Sequence, residues 1–309
     1  MSRFWLVAAL CVTCMAVSVV TGDAPRPLAD DGKTATTIQQ VPVLRIEPAE
    51  KGFYAKRLDY RGLPIKGADV VADEAFYEAW RRIDRLLVKN PVVLRNLLAA
   101  GSEVHIIGRS QQQTDLPEFR DQKGVPLREN PRITLDERAR GMGGRECSCG
   151  EENLLKLPGD RYRGRDILSH EFTHTIHGYG LSRNVRQMIT ETYRKAREEK
   201  RWETPDGKPN YAGSNENEYL AELALWYVGG RGDWPKAMGP MEPGPEFIKK
   251  YDPDGYKLVD DLFNGRLDVQ EVTPRPRRAT TRPSVPGATR TPSVGRAREA
   301  PRGPLSTAA

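Results

Sequence analysis

Three of the four histidines in this 309-residue chain fall within a few positions of one another, in His170-Glu171-Phe172-Thr173-His174 and at His177. Two histidines one helical turn apart share a face, so both imidazoles reach a single ion. The pattern H-E-x-x-H sets a carboxylate beside them that is not itself a ligand. Glu171 in that position takes a proton from metal-held water, so the chemistry implied is zinc-assisted hydrolysis. The pattern works only on a helix. Asp166 can cap one, and Leu168, Phe172 and Ile176 form an apolar stripe at i, i+4 and i+8. The plainer alternative is a helix with two solvated histidines and an ordinary surface Glu.

Catalytic zinc takes three protein ligands and keeps one position for water. A histidine at 180 would complete one known pattern, but that residue is Gly180. His177 shares the helix face of His170, yet three ligands from one straight helix cannot surround an ion. His177 therefore reads as a pocket-wall residue or a hydrogen-bonding neighbour of the ligands. Further on, Asn215-Glu-Asn-Glu-Tyr-Leu-Ala-Glu222 places Glu218 and Glu222 on one helix face among Tyr219, Leu220 and Leu223. Buried carboxylates need a positive partner. A metal and its imidazoles would supply one, with Glu218 on the ion and Glu222 accepting the other ring N–H of a ligand histidine. Taken alone, the spacing equally describes an exposed acidic helix start, which the helix dipole favours.

The segments HEFTH and Tyr211-Ala-Gly-Ser-Asn-Glu-Asn-Glu-Tyr-Leu-Ala-Glu222 resemble the catalytic domain of the lethal-factor-like zinc metallopeptidases. These are zincins of the gluzincin type, with H-E-x-x-H and a distant Glu. The resemblance implies His170, His174 and Glu218 as metal ligands, Glu171 as catalytic base and Glu222 behind a ligand histidine. It also implies Tyr211 as the side chain facing the reaction centre. It is specific over roughly residues 170–222. Thr114-Asp-Leu-Pro-Glu118 and Gly150-Glu-Glu-Asn-Leu-Leu155 look like secreted bacterial relatives and count for less. The delivery domains of a toxin have no counterpart at this length.

The elements that must position these residues can be read from periodicity. Pro42-Val-Leu-Arg-Ile46 is a short strand-like run within a linker or pro-like segment, 23–51. Asp73 caps a helix carrying Phe76, Trp80, Ile83 and Leu87, and a second helix from Pro91 stops at Gly101. Glu103 to Ile107 alternates like a strand, and Gly150 to Leu157 reads as another, a candidate to pair with an extended substrate. Val185, Met188, Ile189, Tyr193 and Ala196 mark an amphipathic helix, and Asn215 to Val228 another, with Ser214 or Asn215 as its cap. Helices and strands mix without a βαβ rhythm. The expected class is α+β: a zincin-like domain over 52–265 with a small mixed sheet, an active-site helix and a helical C-terminal part.

The two ends differ from this middle. Residues 1–22 carry Arg3 and then an apolar run, the layout of a signal peptide, so a secreted protein, extracellular or periplasmic, is expected. The tail, 273–309, is made of Pro, Arg, Thr, Ser, Gly and Ala and is expected to be disordered. Its eight Arg and one Glu give it a charge of +7 against +6 for the whole chain, leaving the other residues at about −1. The tail lacks aromatic residues for stacking, and export also argues against nucleic acid as a partner. Loose attraction to acidic surface polymers fits its charge. Cys147 and Cys149 remain after the leader; export favours their oxidation, but a bridge between them would close a strained ring, so their state stays open. The expected function is a monomeric zinc endopeptidase acting on peptides or proteins. The alternatives are a zinc-stabilised surface-binding protein and a hydrolase of cell-wall cross-bridge peptides.

Overall fold

A computed structural model describes residues 41–232 and 242–273. The expected leader and nearly all of the tail lie outside them. The chain opens with three antiparallel strands, β1 (Leu44–Glu50), β2 (Tyr54–Tyr60) and β3 (Leu63–Gly67). Two helices follow, α1 (Asp73–Leu87) and α2 (Pro91–Ala100), and lead into β4 (Glu103–Ile107), which lies parallel to β3. A crossover of this kind is the usual way to join parallel neighbours, and the sequence rhythm does not disclose it. After a long connection holding α3 (Leu135–Arg138), strands β5 (Gly141–Met142) and β6 (Glu146–Gly150) complete a mixed sheet ordered β1-β2-β3-β4-β6-β5. The class is α+β, as expected.

One row across the sheet, Leu58, Ile65, Val104 and Cys147, is wholly buried. On its helix-bearing side, α1 packs on β2 and β3, and helix α5 (Ile167–Thr175) packs on β5 and β6 after the single turn α4 (Glu151–Leu154). A π-helical turn, Ile176–Gly180, continues α5 and rests on α2. The C-terminal part is helical: α6 (Arg183–Glu198), α7 (Glu216–Tyr227), α8 (Pro245–Tyr251) and α9 (Pro253–Phe263). Every residue of α7 from Tyr219 to Trp226 is buried, as befits a helix apolar on most sides and surrounded by α5, α6, α8 and α9. Among the described residues no helix is long and apolar enough to cross a membrane.

Several expectations need correction. The strand expected over 150–157 ends at Gly150, and Glu151–Leu154 turns into helix instead. Glu151 turns inward, where its carboxylate accepts from the N–H groups of Ala72 (2.8 Å) and Arg109 (3.0 Å). Two backbone donors distant in the chain outweigh local strand propensity. Asp73 is not the cap: Ala72 holds the cap position of α1 without a side-chain bond, and Asp73 sits in the first turn, where its carboxylate accepts from Lys56 at 2.8 Å. Ordered contacts are also made by residues on either side of 52–265. Strand β1 belongs to the sheet, and Val272 donates its N–H to Asn96 Oδ1 at 3.0 Å while Gln270 accepts from Asn96 Nδ2 at 3.0 Å.

Candidate metal centre

Helix α5 begins where the sequence places it. Asp166 Oδ1 accepts from the Ser169 N–H at 3.0 Å, and Oδ2 accepts from the Ser169 hydroxyl at 2.6 Å. Arg82, buried in α1, donates to Asp166 Oδ1 (2.8 Å) and to the Leu154 carbonyl (2.9 Å), and Asn153 Oδ1 accepts the Ile167 N–H at 3.1 Å. The start of the helix is thereby fixed to α1 and α4 before the motif residues begin. Asn215 does the same for α7, its Oδ1 accepting from the N–H groups of Asn217 (3.0 Å) and Glu218 (3.1 Å). Two well-capped helices then face one another, carrying His170 and His174 on one and Glu218 and Glu222 on the other.

The candidate ligand atoms converge. Nε2 of His170 and Nε2 of His174 are 3.1 Å apart, and Glu218 Oε2 lies 3.1 Å from the first and 3.4 Å from the second. A tetrahedral zinc with bonds of roughly 2.0–2.1 Å needs ligand atoms about 3.3 Å apart, which this set meets. The chemistry of the set agrees: two ring nitrogens with in-plane lone pairs and a carboxylate point at one place, an arrangement that asks for a cation. The reverse side of the His170 ring is occupied too, with Nδ1 lying 3.0 Å from Glu222 Oε1, and Glu222 is fully buried.

Electrostatics follow from this crowding. Burial by itself would lower the pKa of His170, but the hydrogen bond to Glu218 and the nearby Glu222 carboxylate outweigh it and raise it to about 10. Burial would raise that of Glu218, yet its bonds to His170 and His174 hold it well below the usual carboxylate range. Glu171 is pushed up, chiefly by burial and also by Glu218, against the pull of both histidines. Gly143 lies close against the helix that carries Glu171, near the Glu171 carbonyl oxygen and His174. Only glycine fits there, because a Cβ on Gly143 would stand 2.5 Å from His174 Cβ. No motif points to this contact, since Gly143 comes from the β5–β6 turn.

Tyr211 lies at the rim of the site. Its ring stacks on that of His170 with centroids 6.0 Å apart and planes 17° from parallel, within the field of Glu218. Burial first, then the charge of Glu218, push the phenol pKa upward. The loop that carries it is anchored through Trp202. Trp202 is buried and donates Nε1–H to Asp252 Oδ2 at 2.7 Å, Tyr219 donates to the same oxygen at 2.8 Å, and Asn210 N–H reaches the Trp202 carbonyl at 2.9 Å. Gly213 must be glycine, because a Cβ would meet the Trp202 carbonyl oxygen at 2.2 Å.

His177 is placed outside the converging group, in the π-helical turn. It is buried, and burial lowers its pKa. His105, on β4, belongs to another cluster altogether. Cys147 and Cys149 are free and fully buried on β6, and burial pushes both thiols up, so they are poor nucleophiles. Cys147 also lies in the field of Glu171.

No family model matches the chain, and no curated protein does. Among solved structures it is similar to the Pro-Pro endopeptidase of Paenibacillus alvei, with 18% identity and a TM-score of 0.40 over 62% of this chain and 92% of that one. A likeness so slight does not extend to activity or substrate.

Proposed function

We propose that this chain is a secreted zinc-dependent endopeptidase, with His170, His174 and Glu218 as metal ligands and Glu171 as general base. The observation that carries the reading is the convergence of those three ligand atoms within 4.8 Å of one another, beside the half-buried Glu171, which is not among them. The similarity of HEFTH and the Tyr211–Glu222 segment to lethal-factor-like metallopeptidases supports it. Export rests on the leader-like residues 1–22. The order of parts is then leader, linker, domain and basic tail, with the domain widened to take in β1 and the segment up to Val272. Bound zinc supplies a water with a pKa near 7 and polarises a carbonyl.

The chain's own residues do the rest. Glu171, its pKa raised by burial, takes a proton from water and passes it to the leaving amine. Tyr211 keeps its proton at neutral pH, being shifted upward, and donates to the oxygen on which charge develops. Among the described residues the sheet edge beside α5 is β5, so Gly141–Met142, rather than 150–157, is where an extended peptide would add as a strand.

The test is zinc content together with hydrolysis of a peptide library, for wild type and Glu171→Gln. The variant should keep one zinc and lose about 10²–10⁴ in turnover, the usual share of a general base. Retained turnover would end this mechanism. Zinc without hydrolysis in the wild type would favour a binding protein, and activity on wall material alone would favour cross-bridge peptides.

A further inference from the structure

Behind the ligands lies a contact that neither the motif nor the resemblance assigns. Arg165, immediately before the cap of α5, donates Nη2–H to Glu222 Oε1 at 2.6 Å. This is the same carboxylate oxygen that lies 3.0 Å from His170 Nδ1. One oxygen is therefore held between a guanidinium and a ligand imidazole. The other carboxylate oxygen is confined as well, since a Cβ on Gly232 would stand 2.8 Å from Glu222 Oε2.

The Arg165 backbone is fixed on both sides. Its N–H donates to the Tyr162 carbonyl at 3.1 Å, and its own carbonyl accepts from Asn153 Nδ2 at 2.7 Å. Asn153 also binds the Ile167 N–H, and Asp166 is clamped by Arg82. The dipeptide Arg165-Asp166 thus performs two tasks from one anchored stretch: Asp166 starts α5, and Arg165 reaches across to the middle of α7.

We infer that Arg165 is a positioning residue for the metal centre, acting through Glu222 to hold the His170 ring with Nδ1–H turned to the carboxylate and the Nε2 lone pair turned to the metal. This rests on the zinc reading above. The physical reason is desolvation. Glu222 is fully buried in an apolar helix, and a buried carboxylate stays a fixed acceptor only with a charged, hydrogen-bonded partner. A pair between two exposed groups would be worth little. Here one member has no water to fall back on, and a guanidinium offers directed donors that an ammonium does not. Outer partners that fix a ligand histidine commonly change metal affinity by about 10–100-fold.

The experiment measures zinc affinity by competition with a chromophoric chelator, alongside thermal melting of the metal-free full chain. Arg165→Met should bind zinc about 10-fold more weakly. Arg165→Lys should recover part of that loss and Arg165→Gln less. In a Glu222→Gln background, Arg165→Met should cost almost nothing further, because its route to the metal is already gone; a purely structural role would add its full effect there. Wild-type affinity in Arg165→Met, or additive losses in the double variant, would overturn the inference while leaving the zinc reading intact. Should Arg165→Met not fold, the Lys and Gln variants decide, and equal affinities for the two would overturn it. A wild type that binds no zinc would overturn the zinc reading and this inference with it.

Discussion

Two buried clusters in this molecule pair histidine with carboxylate, and they are built to opposite ends. On β4, His105 Nε2 lies 3.0 Å from Glu103 Oε2, and Nδ1 lies 2.9 Å from the Tyr54 hydroxyl, which itself donates to Glu118 at 2.6 Å. Lys66 donates to both Glu103 and Glu50 at 2.9 Å, and Lys51 pairs with Glu118. Each carboxylate there meets a donor supplied by the chain, and both ring nitrogens are engaged. Between α5 and α7 the ring nitrogens of two histidines and a carboxylate oxygen converge on one another. Glu171, Glu218 and Glu222 gather around them, with the Arg165 guanidinium set against Glu222 on the side away from the ligand atoms. A divalent ion would balance the charge that collects where those atoms meet. The sheet cluster is closed by its own residues; the helix cluster has the donor set of a binding site. Histidine beside carboxylate is therefore no mark of a metal by itself. The mark is lone pairs that face each other.

That contrast is broken most severely at Glu218. Glu218→Ala removes one of the three convergent atoms, and zinc affinity should fall by more than the 10–100-fold expected of a partner lying behind a ligand. Glu216→Ala, on the same helix but outside the converging group, should change affinity little. Chelator competition checks both, and exchanged behaviours would mean that the wrong carboxylate has been assigned. Tyr211→Phe comes next. With zinc and substrate binding kept, kcat should drop by about 10²–10³, the cost of one oxyanion donor. A kcat within a few-fold of wild type would leave Tyr211 as a ring packed on His170.

The sheet cluster should respond in stability and not in metal binding. His105→Gln should lower the melting temperature, with a cost of about 1–3 kcal/mol for partners left buried and unsatisfied, while zinc affinity stays unchanged. Acid titrates the same cluster. Burial alone would raise the pKa of Glu103, but bonds from His105 and Lys66 bring it down to about 2 from its ordinary 4.5. A depressed folded-state pKa stabilises above the unfolded value, so this contribution is complete above about pH 4.5 and is lost as pH falls towards 2. Melting curves of wild type and Glu103→Gln over that range should converge at the acid end. Parallel curves would show that Glu103 is not depressed.

How much of this is legible in the chain depends on the range of the interaction that decides each feature. Asp166 and Asn215 cap through bonds two or three residues long, so the start of α5 and of α7 can be read directly. His170 and His174 share a face by helical spacing alone. Glu151 is different: its fate is set by Ala72 and Arg109 far along the chain, and local propensity misleads. Strand β1 reads as a linker because it becomes a strand only by pairing with β2. Arg165 stays invisible for the same reason, its partner lying on another helix, 57 positions away. Spacing points to Glu222 but not to its guanidinium.

The smallest effect is expected at the far end of the chain, and the described residues narrow where it should begin. Asn96, buried in α2, binds the Gln270 carbonyl and the Val272 N–H, and Arg95 pairs with Glu271 at 2.9 Å. Those contacts tie the segment after α9 to the body, so a chain ending at 265 should lose stability. Beyond them the composition changes to Pro, Arg, Thr, Ser, Gly and Ala, with almost no large apolar side chains and a charge of +7. Such a composition offers little apolar surface to bury. Truncation after Thr273 should therefore leave the melting temperature, zinc content and peptide hydrolysis within error of the full chain, while weakening retention on an anionic resin at low salt, where a charge of that size is felt. A clear fall in melting temperature on removing 274–309 alone would mean that the tail docks on the body, and the near-neutral balance of the remaining residues would then need a local acidic face to receive it.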